Sequence, residues 1–250
     1  NITKQDILVK NDRIVKIGNW IKFSGESRVI DASGKVIFPG LIDDQVHFRE
    51  PGLTNKATIK SESKAALAGG ITSFLEMPNT NPQTITIDAF QDKKDIAAQT
   101  AAVNYNFYIG ATLDNLDVLL AAENCPGIKI FMGSSTGNML VDDPEILDQI
   151  FKHANKPIVI HSEDETMVRE NMEKYAGSSD PVDHMHIRSP EAALACTKRA
   201  VALAKKHQQR LHILHLTTAE EVDWLISQDL PTYITVEVCI QHLLLHAPRV

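Results

Sequence analysis

Three histidines stand at or near the ends of short apolar runs: His47 in LIDDQVHF, His161 in PIVIHS and His215 in LHILHLT. A fourth residue of interest, Lys129, sits in the middle of GIKIFMG. Imidazole is a ligand for zinc, and carboxylate-type oxygens suit a bridging role between metal ions. Side chains alternate across a strand. With Ile128, Ile130 and Met132 on the apolar face, Lys129 points to the other face, inward. A buried lysine is costly unless it is paired or neutralised. Two readings stay open: a lysine that reaches solvent or a carboxylate, or one that has reacted with CO2 to give a carbamate, an anion able to bind metal. A single strand-end histidine is more often a packed one. Three of them, from three strand ends and beside an inward lysine, form a candidate metal-ligand set.

The same alternation in DDQVHFRE puts Asp43, Gln45, His47 and Arg49 on one face, with Val46 and Phe48 opposite. His153 and His207 fall near helix ends and are expected to be solvated. His184 and His186 lie in DPVDHMHIRSP, read as a loop before a helix, and are expected at the surface. His212 has the opposite parity to His215 and is read as structural. His242 and His246 stay unassigned.

These residues need a frame. From Leu41 onward, strand-like and helix-like stretches alternate. The strands are LIDDQVHF, ITSFLEMP, NYNFYIGA, GIKIFMG, PIVIHS, LHILHLT and YITVEVCI. Between them lie TIKSESKAALAGG, IDAFQDKKDIAAQTA, NLDVLLAAEN, PEILDQIFKHAN, SPEAALACTKRAVALAKKH and TAEEVDWLISQD, with Pro144 and Pro190 suited to first helical turns. This alternation predicts a parallel sheet of the α/β class, a (β/α)8 TIM-type barrel whose active site would form at the strands' C-terminal ends. The count stops at seven strands, so the barrel is expected to be incomplete at its C-terminus and the chain to be part of a longer protein; an open α/β sheet is the alternative. Residues 1–40 read differently, as short β runs with turns at Asn11-Asp12 and Ser33-Gly34. The expected division is therefore 1–40 and 41–250.

Bulk properties narrow the function. The chain has 250 residues, is 43% hydrophobic and carries a formal charge of −7. It has no basic stripe for nucleic acid, and no apolar run long enough to span a membrane. Cys125, Cys196 and Cys239 are widely spaced, which points to a reducing, cytoplasmic setting.

Taken in order, QVHFREPG, MPNT, IVIHSED, HIRSPEA and LHILHLTTAEE resemble the signatures of the dihydroorotases, in the amidohydrolase superfamily, over essentially the whole chain. The resemblance implies a (β/α)8 barrel plus a small β-sandwich, to which residues 1–40 contribute. It implies one or two zinc ions, with His47, Lys129 (as a carbamate), His161 and His215 as ligands. Arg49 and Asn79 would hold the carboxylate of a small anionic substrate. The implied reaction interconverts dihydroorotate and N-carbamoyl-L-aspartate in pyrimidine biosynthesis, and a homodimer is usual for the family. Three departures stand out. Gln45 replaces the first histidine of HxHxREPG. KIFMGSSTGNMLV is closer to the lysine-carbamate branch and to hydantoinases. The catalytic aspartate, expected on strand eight, is absent, and the HAP of His246–Pro248 is read as a chance match. An allantoinase- or hydantoinase-type enzyme and a non-catalytic scaffold are the competing expectations.

Overall fold

The computed structural model describes residues 2–133 and 139–245. The SSTGN of 134–138 and the HAP of His246–Pro248 therefore lie outside the described residues. The chain divides into two units, Asn1–Pro39 and Gly40–Val250, one residue from the expected boundary.

In the first unit, β1 (Asp6–Lys10) and β2 (Arg13–Gly18) form an antiparallel hairpin. Its turn uses Asn11 at φ 57°, a conformation that asparagine tolerates better than most residues. The second expected pair of runs behaves differently. The Ser33-Gly34 turn forms, with Lys35 N–H donating to Ala32 at 3.0 Å and Gly34 at φ 74°. The flanking segments form no strand among the described residues. Val29, Ile30, Ile37 and Phe38 are exposed. A strand needs a partner for its backbone groups, and these segments find none.

The second unit runs β3 (Leu41–Val46), α1 (Ile59–Ala68), β4 (Ile71–Glu76), α2 (Ile87–Thr100), β5 (Asn104–Phe107), β6 (Ile109–Gly110), α3 (Leu116–Ala121), β7 (Ile128–Phe131), α4 (Pro144–His153), β8 (Ile158–His161), α5 (Glu165–Lys174), α6 (Asp183–Ile187), α7 (Pro190–His207), β9 (Leu211–Ile213), α8 (Ala219–Ser227), β10 (Ile234–Val236) and α9 (Ile240–Leu244). β3-β4-β5 and β6-β7-β8-β9-β10 are two sheets with every pair parallel. β5 and β6 flank Tyr108 and are two stretches of one strand. The seven expected strands are thus present, neighbours in space in their chain order, as an incomplete (β/α)8 barrel. Among the described residues β3 and β10 do not pair with each other.

Local chemistry sets the helix starts. Thr58, Thr86, Asp143, Asp164, Ser189 and Thr218 each accept a first-turn N–H with their side chains, which satisfies donors the helix itself cannot. Pro144 and Pro190 open α4 and α7. Helices α5, α6 and α9 were not foreseen. His184 and His186 lie in α6 rather than a loop; both are exposed, and His186 stacks on Tyr175. The last strand ends at Val236, and Ile240 starts α9 instead of closing it. His153 is exposed, but His207 is not solvated as expected: its Nε2 lies 2.7 Å from Asp148 and its side chain is only 12% exposed.

The core lies between strands and helices. Ile128, Ile130, Ile158, Ile160, Leu211 and Ile213 pack there with Phe74, Phe107, Leu147 and Phe151. Each such burial contributes roughly 1.5–3 kcal/mol. The alternate positions face the other way. Lys129 pairs in register with Val159, Val159 with His212, and His212 with Thr235, so these four share the interior face.

Candidate functional site

Lys129 is 1% exposed. Among the described residues its ammonium has no hydrogen-bond partner; it lies over the Phe131 ring at 4.5 Å. Burial drives its pKa well below the usual lysine value, and the Glu237 carboxylate only partly opposes this. The charge of Lys129 acts on three imidazoles, those of His47, His161 and His215. The four residues therefore gather about one region at the strands' C-terminal ends.

His161 closes β8, and His215 follows β9 with φ 40°. That left-handed backbone, rather than strand parity, turns the ring of His215 toward His161. His161 Nδ1 and His215 Nε2 lie 3.0 Å apart. On its other side, His161 Nε2 lies 2.6 Å from Glu163 Oε2. A carboxylate accepts, so the shorter contact puts the proton on Nε2, which then takes no bond from Arg188 Nη2 at 3.0 Å, and Nδ1 offers its lone pair toward His215. Arg188 reaches back from the start of the HIRSPEA segment, with Nε 2.7 Å from Glu163 Oε1 and Nη2 also on Oε2. Burial pushes Glu163 up, but its bonds from His161 and Arg188 outweigh that and hold it at about 2.

His47 Nδ1 lies 2.9 Å from Asn79 Oδ1. An amide oxygen accepts only, so His47 is protonated on Nδ1 and free at Nε2. Burial, then the charges of Arg49 and Lys129, push its pKa down to about 4; burial and Lys129 push His215 down to about 3. Each ring is thus neutral near pH 7, the form that binds metal. His161 Nδ1 and His215 Nε2, 3.0 Å apart, either share a proton or converge on a cation. A charged Lys129 does not fit one, whereas the neutral amine favoured by burial is the form that reacts with CO2.

The regular alternation expected through Arg49 is broken. The β3–β4 register shifts between Asp43 and Val46, a bulge that re-aims side chains. Val46 and Phe48 do go to the core. Asp44, of the same strand parity as Val46 and Phe48, lies 3.5 Å from His212 Nε2, which is 3.3 Å from Glu237 Oε2. Asp44, His212 and Glu237 form a group whose ligand-type atoms all lie within 4.8 Å of one another. His212 is thus an interior residue with polar partners. Burial, then the neighbouring Glu237, raises Asp44 to about 6. Gln45 Oε1 is 3.8 Å from the Cys239 sulfur.

Sequence reading missed Glu163, Arg188, Asp44 and Glu237. Glu163 stands two residues after His161, which was a usable signal. Glu237 shares parity with Thr235, which faces inward beside His212.

Residues 34–125 match the family described as dihydro-orotase-like. A dihydroorotase of Methanosphaera stadtmanae is 31% identical over 251 residues, covering 96% of this chain and 56% of that protein. An L-hydantoinase of Paenarthrobacter aurescens is 32% identical over 231 residues, covering 89% and 50%. The solved structure of an L-hydantoinase (dihydropyrimidinase) from Arthrobacter aurescens superposes with a TM-score of 0.85 at 30% identity, over 94% of this chain and 55% of that one. The chain spans about half the length of the relatives it matches. Residues 34–125 thus match a dihydro-orotase-like domain, and the chain is similar to dihydroorotases and to an L-hydantoinase over about half of their length.

Proposed function

We propose that the protein containing this chain is a zinc-dependent dihydroorotase, interconverting dihydroorotate and N-carbamoyl-L-aspartate in cytoplasmic pyrimidine biosynthesis. The observation that carries this reading is the meeting of His161 Nδ1 and His215 Nε2 at 3.0 Å, beside the buried Lys129. His47, Lys129, His161 and His215 would hold one or two zinc ions, Lys129 as its carbamate. Zinc supplies Lewis acidity and lowers the pKa of water from about 15.7 to about 7.

The remaining chemistry belongs to the chain. Arg49 offers a guanidinium suited to bidentate carboxylate binding. Asn79, its oxygen engaged by His47, keeps its amide N–H groups for the substrate. Glu163 and Arg188 fix the ring of His161. The group that takes the proton of the attacking water is not assigned among the described residues.

A hydantoinase-type activity is the second reading, favoured by the superposition on L-hydantoinase. A substrate panel on the full-length protein separates the two. Ring opening of dihydroorotate well above that of hydantoin and dihydrouracil supports the first reading; the reverse order supports the second. No turnover of any cyclic amide by zinc-loaded protein supports the scaffold alternative raised by Gln45.

A further inference from the structure

Among the described residues one ion pair has both side chains fully buried, and neither partner belongs to the ligand set. Glu76 ends β4 and Lys93 lies on α2; both side chains are 0% exposed, with Lys93 Nζ 3.1 Å from Glu76 Oε2. This contact is electrostatic, since its angle leaves Oε2 without an aligned hydrogen bond. A buried pair is a weak source of stability, because desolvation offsets the attraction. Its other bonds are more informative. Glu76 Oε1 accepts the backbone N–H of Arg49 at 3.1 Å. Lys93 Nζ donates to the carbonyl of Met77 at 2.9 Å. One partner thus grips the loop that carries His47 and Arg49. The other grips the loop that carries Asn79.

The two loops are joined at further points. Met77 N–H donates to Val46 at 3.0 Å, and Asn81 N–H to Pro51 at 3.1 Å. His47 and Asn79 meet directly. Arg49 has φ 69°, a conformation uncommon for a residue with a side chain, and the bond to Glu76 holds its backbone there.

We infer that Glu76 and Lys93 are positioning residues, a buried clamp that sets the loop bearing His47 and Arg49 against the loop bearing Asn79. The proposed role of this clamp in substrate binding rests on the dihydroorotase reading; its mechanical role does not. Both side chains are fully buried, so the pair acts only through the two loops that it holds.

The test uses the full-length protein with Glu76→Gln, Lys93→Met and the double variant. The double variant leaves no unpaired buried charge and serves if the single ones fail to fold. Amide hydrogen exchange is followed in peptides covering 47–53 and 77–83, with strands 128–131 and 158–161 as reference. Lys93→Met, which frees the Met77 carbonyl and leaves Glu76 without its cation, is expected to speed exchange in both loops by about tenfold, the loss of roughly one hydrogen bond, with the strands unchanged. Dihydroorotate kinetics on zinc-saturated protein should show KM raised about tenfold and kcat nearly unchanged. Exchange confined to one loop, or raised evenly through the barrel, overturns the clamp. So does a fall in kcat alone with KM unchanged. A wild type that leaves dihydroorotate closed but shows the coupled exchange removes the dihydroorotase reading and keeps the clamp.

Discussion

His161 and His215 stand 54 residues apart in sequence, yet Nδ1 of one lies 3.0 Å from Nε2 of the other. Two neutral imidazoles at that distance either share a proton or converge on a cation. Replacing either with Asn is expected to cost the full-length protein most of its zinc and at least about 1,000-fold in activity, since the lowered water pKa is lost with the ion. Metal analysis alongside turnover checks both losses. A variant that keeps full zinc would remove that histidine from the ligand set.

Glu163 and Arg188 act one step further out. Their bonds fix which nitrogen of His161 carries the proton. Partners of this kind are typically worth 10–100-fold in metal affinity or activity (roughly, by analogy with other metal sites). Glu163→Gln and Arg188→Met should fall in that range, read by zinc titration, with the fold retained by circular dichroism.

Arg49 is expected to govern substrate affinity rather than turnover. A charge-assisted hydrogen bond is worth roughly 1.5–3 kcal/mol, so Arg49→Met should raise KM by about 10- to 100-fold. Saturation curves for dihydroorotate measure this. An unchanged KM would place the substrate carboxylate elsewhere.

Acid should destabilise the protein stripped of metal. His47 and His215 titrate at about 4 and about 3, against 6.5 for a free imidazole. Between those values the unfolded chain binds more protons, so stability rises with pH. It is present in full above 6.5 and is lost as pH falls through 4 and 3. Glu163, at about 2 against 4.5, adds a loss of the same sign at lower pH. Asp44, raised from 3.8 to about 6, opposes them over that interval. The expected net result is a thermal midpoint that climbs between pH 4 and 6.5 and then levels. His215→Asn should flatten the climb.

Gly52 allows the two site loops to meet. At φ 80°, a Cβ there would stand 1.8 Å from the carbonyl oxygen of Asn81. Gly52→Ala must therefore move backbone, and it is expected to lower thermal stability and raise KM together. A fully native Gly52→Ala variant would show that the two loops have slack.

The seven strands were legible because β-branched runs alternate with helical periods, and α1, α2, α4, α5, α7 and α8 each start at a side chain that caps them. Lys129 was legible as inward because Ile128, Ile130 and Met132 leave it no other face. The site's outer parts were not. Asp44 escaped because a bulge, which depends on the pairing with β4, breaks the period of two. Arg188 lies 25 residues from Glu163 in sequence, and nothing local announces that contact. His215 was included because it ends the run LHILHLT, yet it lies beyond β9, where a left-handed backbone turns it toward His161. The segments around Val29 and Ile37 have strand composition without a strand partner, and composition alone does not supply one.

The most direct measurement is zinc per chain in the gently purified full-length protein, with bicarbonate present. The account predicts one or two zinc ions per chain, removed by chelation together with dihydroorotate turnover and restored with it. Two ions would mean that Gln45 serves as a ligand or is dispensable; one would mean a single-ion site. No zinc bound, even when metal and bicarbonate are supplied, would contradict the account and leave a folded scaffold in place of an enzyme.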